Sequence, residues 1–227
     1  MATPYPNEVR LREPGEVEAL MKSSLERTIE EYEDRIKSMN KIKDQEKHRE
    51  KFEEFKLHQR RRIKALASVQ QRLNEYRQYA AISDAGVLED EPHDSKRLSK
   101  FMQAAGLPKP YFSWHAHAMI SGGDERAAEL RMILAEVGIG IDDPHNGCWL
   151  PARSRDCGRL PYPKAVPHSR IHRYNYYLWL SIRFLALTTK EQVITRLTRT
   201  RTDLLHRTFP EGVMLPKGQW KEPNDNV

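Results

Sequence analysis

Between Glu16 and Ala85 the chain carries neither glycine nor proline, and its apolar residues recur at steps of three and four. Met21, Leu25, Ile29, Tyr32, Ile36, Met39 and Ile42 form one stripe; Leu66, Val69, Leu73, Tyr76 and Ala80 form a second. This period brings each set onto one face of a helix. Between them lies "KDQEKHREKFEEFKLHQRRR", charged almost throughout apart from Phe52, Phe55 and Leu57. As one rod the stretch would extend about 105 Å at about 1.5 Å per residue, with nothing to bury either stripe. A helical hairpin or coiled coil is therefore predicted. The charge run is read as a solvated helix face, with pairs such as Glu31 with Arg35 and Glu33 with Lys37.

Gly86, Pro92 and a group of acidic residues break the pattern, and 82–100 reads as a linker. Beyond it the pattern predicts a short helix near 95–105, an extended segment through "YFSWHAHAMI", and a loop "SGGD". A helix over "ERAAELRMILAEVG" follows, started by Gly123 or Asp124 and ended by Gly138. Next come a turn at "DDPHNG", a short strand "CWLP", and a loop rich in arginine, proline and glycine. A helix from "PHSRIHRYNYYLWLSIRFLAL" and a last one over "KEQVITRLTRTRTDLLHR" complete the series. The tail from Pro210 contains three prolines and is expected to be extended or disordered. The expected division is a helical N-terminal region with linker over 1–95, a mainly α domain with a small β component over 96–209, and a tail over 210–227. No internal repeat is visible.

Composition narrows the class. Hydrophobic residues make up 38% and charged residues 31% of 227 residues, so part of the chain packs a core and part is solvated. The net charge of +6 is a mild hint of a polyanionic partner. Cys148 and Cys157 stand nine apart, which matches no zinc or redox spacing. The first residues, "MATPYPNEVRLREPGE", lack the apolar run of a signal peptide. "YYLWLSIRFLAL" is too short, and with Arg183 too charged, to span a bilayer. A soluble protein is expected, cytoplasmic where it is made and exported, if at all, without a cleavable signal.

Seven of the nine histidines lie past residue 90. His168 and His172 are four apart at the start of a predicted helix, which places both imidazoles on one face, suited to a shared divalent ion. By itself this spacing more often serves solubility or hydrogen bonding. A third histidine on a preceding strand would leave one coordination position open for water or a phosphate oxygen. His115 and His117, two apart on a strand, share a face, whereas position 118 points to the other side. His145 is expected to be exposed, His115 to be a polar neighbour of Trp114. Trp149, Tyr176, Tyr177, Leu178 and Trp179 are expected in the core.

The run "HAHAMISGGDERAAELRMILAEVGIGIDDPHNGCWLP…HSRIHRYNYY" resembles the AHH family of the HNH and endonuclease VII superfamily, found as toxin domains at the ends of bacterial polymorphic toxins. The resemblance rests on Ala116 and His117, Gly122 to Asp124, Gly138 to Asp143, Asn146 with Gly147, Leu150 with Pro151, and His168 with His172. It covers roughly residues 111–205 and implies a ββα-metal nuclease domain. It further implies that His117, His168 and His172 hold one divalent ion, zinc, magnesium or nickel. Asn146 would hold the loop and, through it, the general base, although in some relatives this asparagine binds the metal.

The family's second histidine, the general base, falls at Ala118. Loss of a general base typically costs about 10²- to 10⁴-fold in rate. The chain is then a naturally weakened nuclease, one served by another base, or one deliberately disarmed; the last is favoured here because the other motifs are intact. DNA is the implied substrate, held at its phosphates by Arg153, Arg155, Arg170 and Arg173, with Arg159 nearby and Arg196, Arg199 and Arg201 as a second cluster. The resemblance also implies action in the cytoplasm of a target cell and a cognate immunity protein. The N-terminal helices would meet a secretion apparatus or chaperone. The alternative is a non-catalytic, metal-clipped helical interaction module.

Overall fold

The computed structural model describes residues 22–40 and 45–220. Met21 and Ile42 of the first stripe, the N-terminal residues and the end of the tail lie outside the described residues. Helix α1 (Ser24–Asn40) and helix α2 (Gln45–Ile82) pack against each other. Tyr32 stacks on Phe55, with ring centroids 6.3 Å apart, and Glu31 reaches Arg62 across the pair at 3.9 Å. The paired arrangement, rather than a lone rod, is what forms.

The second stripe does not serve this pairing alone. Leu73 packs with Phe101 and Ala104, and Ala80 packs with Leu88 and Ala135. Its partners are thus α3 (Ala85–Glu89), α4 (Ser95–Ala104) and α5 (Ala128–Glu136), all further along the chain. The stretch 82–100 is accordingly not an open linker. Asp84 and Asp94 cap α3 and α4 by accepting from the N–H groups of Gly86 and Lys96, the role short polar side chains play at helix starts. Polar bonds cross the same ground: the Tyr76 hydroxyl donates to Glu91 and accepts from the N–H of Asp142, and Arg77 pairs with Asp143 at 2.7 Å.

Strands β1 (Trp114–Ala118) and β2 (Gly147–Pro151) form a two-stranded antiparallel sheet. His117 pairs with Cys148, His115 with Leu150 and Ala118 with Gly147. Side chains of directly paired residues share a face, so the register sorts the sheet. Cys148 and Leu150 join the main core with α5, α7 (Tyr174–Phe184) and α8 (Lys190–His206). Trp114, Ala116, Ala118 and Trp149 pack with Leu98 and Met102 of α4.

The single helix expected from Pro167 is two. Helix α6 (His168–Ile171) ends at His172, Arg173 is extended, and α7 starts afresh at Tyr174. The tail is ordered as far as it is described: a 3-10 turn at Glu211–Met214 buries Val213, and the Asn175 amide donates to the carbonyls of Gly212, Leu215 and Pro216. Gly212 is required there, since a Cβ would stand 1.9 Å from Cδ1 of Trp220. Among the described residues no helix is long and apolar enough to cross a membrane.

Candidate metal centre

The sheet supplies one histidine and the following helix two. His117, on the β1 face that meets α6 and α7, is 1% exposed. Its ring centroid lies 5.0 Å from those of both His168 and His172. One donor atom from each of the three comes within 4.8 Å of the others. The Nε2 atoms of His168 and His172 are 3.3 Å apart. Two nitrogens on one tetrahedral ion at ordinary zinc–nitrogen bond lengths would be separated by about 3.3 Å. The donor set fits a divalent ion.

Two adjacent tyrosines orient two of these rings. The buried Tyr176 hydroxyl donates to the carbonyl of Met119 at 2.8 Å, so its lone pair is left to accept from Nε2–H of His117 at 3.3 Å. That tautomer puts the lone pair of His117 on Nδ1, which is buried and has no partner within the protein. An orphaned acceptor of this kind is costly unless something binds it. Nδ1 of His172 lies 3.0 Å from the Tyr177 hydroxyl. At about 100° per residue a continuous helix would set residues five apart on different faces, so this contact depends on the break at Arg173. Sequence reasoning placed Tyr176 and Tyr177 in the core and missed this second task; a Tyr-Tyr pair shortly after His-x3-His was the available signal.

Electrostatics keeps the three imidazoles neutral. Burial first, and then the charges of His168, His172 and His93, hold His117 well below its usual value of 6.5. His168 is pushed down to about 4 by burial, then by His172, His115 and His93. Burial also lowers His172, with Asp124 opposing it. Neutral imidazole is the form that donates a lone pair to a metal. Asp124 itself is held down at about 2, chiefly by its hydrogen bond with Arg126.

The remaining sequence candidates divide. Asn146 is fully buried; its Oδ1 accepts from the N–H of Ile120 and its Nδ2 donates to the carbonyls of Ile120 and Ile141. It therefore ties the end of β1 to the loop before β2, with both its side-chain oxygen and its amide nitrogen engaged by backbone. Ala118 is 5% exposed and packs on the opposite face, under Leu98 and Met102. His115 is exposed, its ring 5.9 Å from that of His168. His145 is half-buried rather than exposed, and Leu178 is exposed rather than core.

Arg153, Arg155 and Arg170 are exposed beside the site, and Arg173 is half-buried, its Nε donating to the carbonyl of Arg170. The second arginine cluster does not form as expected. Arg201 turns inward and donates to the carbonyls of Pro144, His145 and Gly147, clamping the turn before β2, while Arg199 pairs with Asp203. Sequence reasoning also overlooked three lysines. Lys96, Lys100 and Lys109 line a groove of about 550 Å³ whose other wall includes His115 and His168.

The three clustered histidines thus lie on two successive parts of one unit, His117 on the first of two strands and His168 and His172 at the helix that follows them. Residues 98–207 match the AHH family. Its description is a nuclease family of the HNH/ENDO VII superfamily with conserved AHH. The match covers just under half of the chain, includes all three histidines, and begins after α2 and α3. Nuclease activity is what the family indicates. This chain contains no Ala-His-His; Ala116, His117 and Ala118 are its nearest approach to that signature. No curated protein and no solved structure matches the chain.

Proposed function

We propose that this chain is a metal-dependent endonuclease of the AHH type that hydrolyses phosphodiester bonds of DNA, acts as an antibacterial toxin, and is impaired by alanine at position 118. The observation that carries the reading is the cluster of His117, His168 and His172, three neutral imidazoles on one strand and a helix within a segment that matches a nuclease family. His117 Nδ1 and the Nε2 atoms of His168 and His172 would hold the ion, zinc, nickel or magnesium. Imidazole donors bind the first two more readily. When bound, the ion would supply Lewis-acid stabilisation of the charge that develops at the phosphate.

The chain's own residues divide the other tasks. Tyr176 and Tyr177 set the rings. Asn146 ties Ile120, just after β1, to Ile141 in the loop before β2. Arg153, Arg155, Arg170 and Arg173, with Lys96, Lys100 and Lys109 along the groove, would receive the phosphate backbone. Three protein donors leave a coordination position open, as catalytic sites do and closed structural sites do not. This favours an enzyme over a metal-clipped interaction module.

Delivery to a target cell, a cognate immunity protein, and contact of the N-terminal helices with a secretion apparatus or chaperone rest on the resemblance. Plasmid DNA incubated with the Ala118→His chain, the unaltered chain and a divalent ion tests the reading. Degradation by Ala118→His is expected, and a His168→Ala control should abolish it. Folded, metal-loaded proteins of both kinds that leave DNA and RNA intact would sink the nuclease assignment.

A further inference from the structure

His93 precedes α4, in the stretch read from sequence as linker, and lies outside residues 98–207. Its Nδ1 is hydrogen-bonded to Oδ1 of Asp142. The Asp142 side chain is fully buried, and its Oδ2 accepts from the N–H of Asp94 at 2.9 Å and from Nε of Arg97 at 2.7 Å. Both side-chain oxygens of Asp142 act as acceptors: Nδ1–H of His93 donates to Oδ1, which leaves the lone pair of the ring on Nε2. A carboxylate that sets the tautomer of a histidine in this way prepares the other nitrogen to take a proton.

The dyad stands beside the metal centre. His93 packs against Gly122, on the loop that leaves β1 after His117: a Cβ at Gly122 would lie 2.6 Å from Cβ of His93. The rings of His117, His168 and His172 all feel its charge. The His93 side chain is 28% exposed, so solvent reaches it. Position 118, in contrast, is covered by Leu98 and Met102.

We propose that His93, oriented by Asp142, is the general base for water in this chain. The inference rests on the nuclease reading. Nε2 takes a proton from water as the water oxygen forms its bond to phosphorus. The P–O3′ bond breaks with its electron pair on O3′, which is protonated from solvent, and His93 returns its proton to solvent. The charged and titratable groups around it are Asp142, with Arg97 and Glu91 behind it, and the imidazoles of His117, His168 and His172, which its charge reaches.

The test uses the full chain with Mg²⁺, Ni²⁺ or Zn²⁺ and supercoiled plasmid. Slow nicking by the chain as it stands is expected. His93→Gly should lower it by about 10²-fold, within the range for loss of a general base. Added imidazole should restore the rate in proportion to its neutral fraction, and Zn²⁺ affinity by chelator competition should be unchanged. His93→Gln, closer in size, should be equally slow. Either variant cutting as fast as the parent overturns the proposal. So does a loss of Zn²⁺ affinity with no imidazole rescue, which marks a structural role. If only Ala118→His cuts, His93 is not the base and the nuclease reading stands. If neither parent nor Ala118→His cuts, both fall.

Discussion

The hydroxyl of Tyr176 stands 3.3 Å from Nε2 of His117 and 2.8 Å from the carbonyl of Met119, so one buried group links α7 to both the first histidine of the cluster and the end of its strand. Removing only the hydroxyl, in Tyr176→Phe, leaves the packing and frees the imidazole to change tautomer. Hydrogen-bond partners behind metal ligands are typically worth about 10- to 100-fold in affinity. A loss of that order is expected in Zn²⁺ competition titrations. Undiminished affinity would show that Tyr176 does not set the ring.

Acid should weaken the metal-free protein in a defined window. The folded His168 binds its proton only at about pH 4, against 6.5 for the ordinary group, and His117 and His172 are shifted in the same direction. Between those values the unfolded chain binds more protons than the folded one, so stability falls as pH falls. The contribution is fully present above about 6.5 and largely gone by about 4. Thermal melts in a chelator across this range should show the decline, and His168→Ala should flatten part of it. A melting temperature independent of pH there would contradict the burial argument.

Asn146→Ala removes three buried hydrogen bonds and strands the N–H and carbonyl of Ile120 and the carbonyl of Ile141. Each unsatisfied buried group costs about 1–3 kcal/mol, so a loss of about 2–4 kcal/mol after relaxation is expected in urea denaturation. Asn146→Asp keeps the acceptor for Ile120 N–H but turns a carboxylate oxygen toward the carbonyls of Ile120 and Ile141, and should cost at least as much. A change below about 0.5 kcal/mol in Asn146→Ala would refute the positioning role.

Lys96 and Lys100 line the groove beside His115 and His168. If each meets one phosphate, replacing both with alanine should make the slope of log K against log salt shallower by about 1.8 for duplex DNA. Fluorescence anisotropy on a labelled duplex, with the chain as it stands, measures this. An unaltered slope would place the DNA elsewhere.

The helical stripes, each strand taken singly, a start at Gly123 or Asp124 and the stop at Gly138 were legible, because each depends on residues within a few positions of one another; of the two starts it is Asp124 that caps the 3-10 turn leading into α5. The three histidines were legible for a second reason: His-x3-His and a strand histidine are local patterns whose order is that of a recognisable family. The direction of Ala118, away from the imidazoles, followed from alternation along a strand.

What lay beyond reach was every feature made by residues distant in sequence. Tyr76 beside Asp142, and Arg201 inside the turn before β2, join segments more than 50 positions apart. No periodicity records which segment a stripe will cover, so the second stripe of α2 showed that it would be buried but not that α4 and α5 would bury it. His93 looked like one residue of a polar linker until packing set its Cβ against Gly122 and its ring on Asp142. The chain's local chemistry determined the elements and named the imidazoles. Only tertiary packing, by choosing among the faces those elements offer, decided which polar groups stand around them.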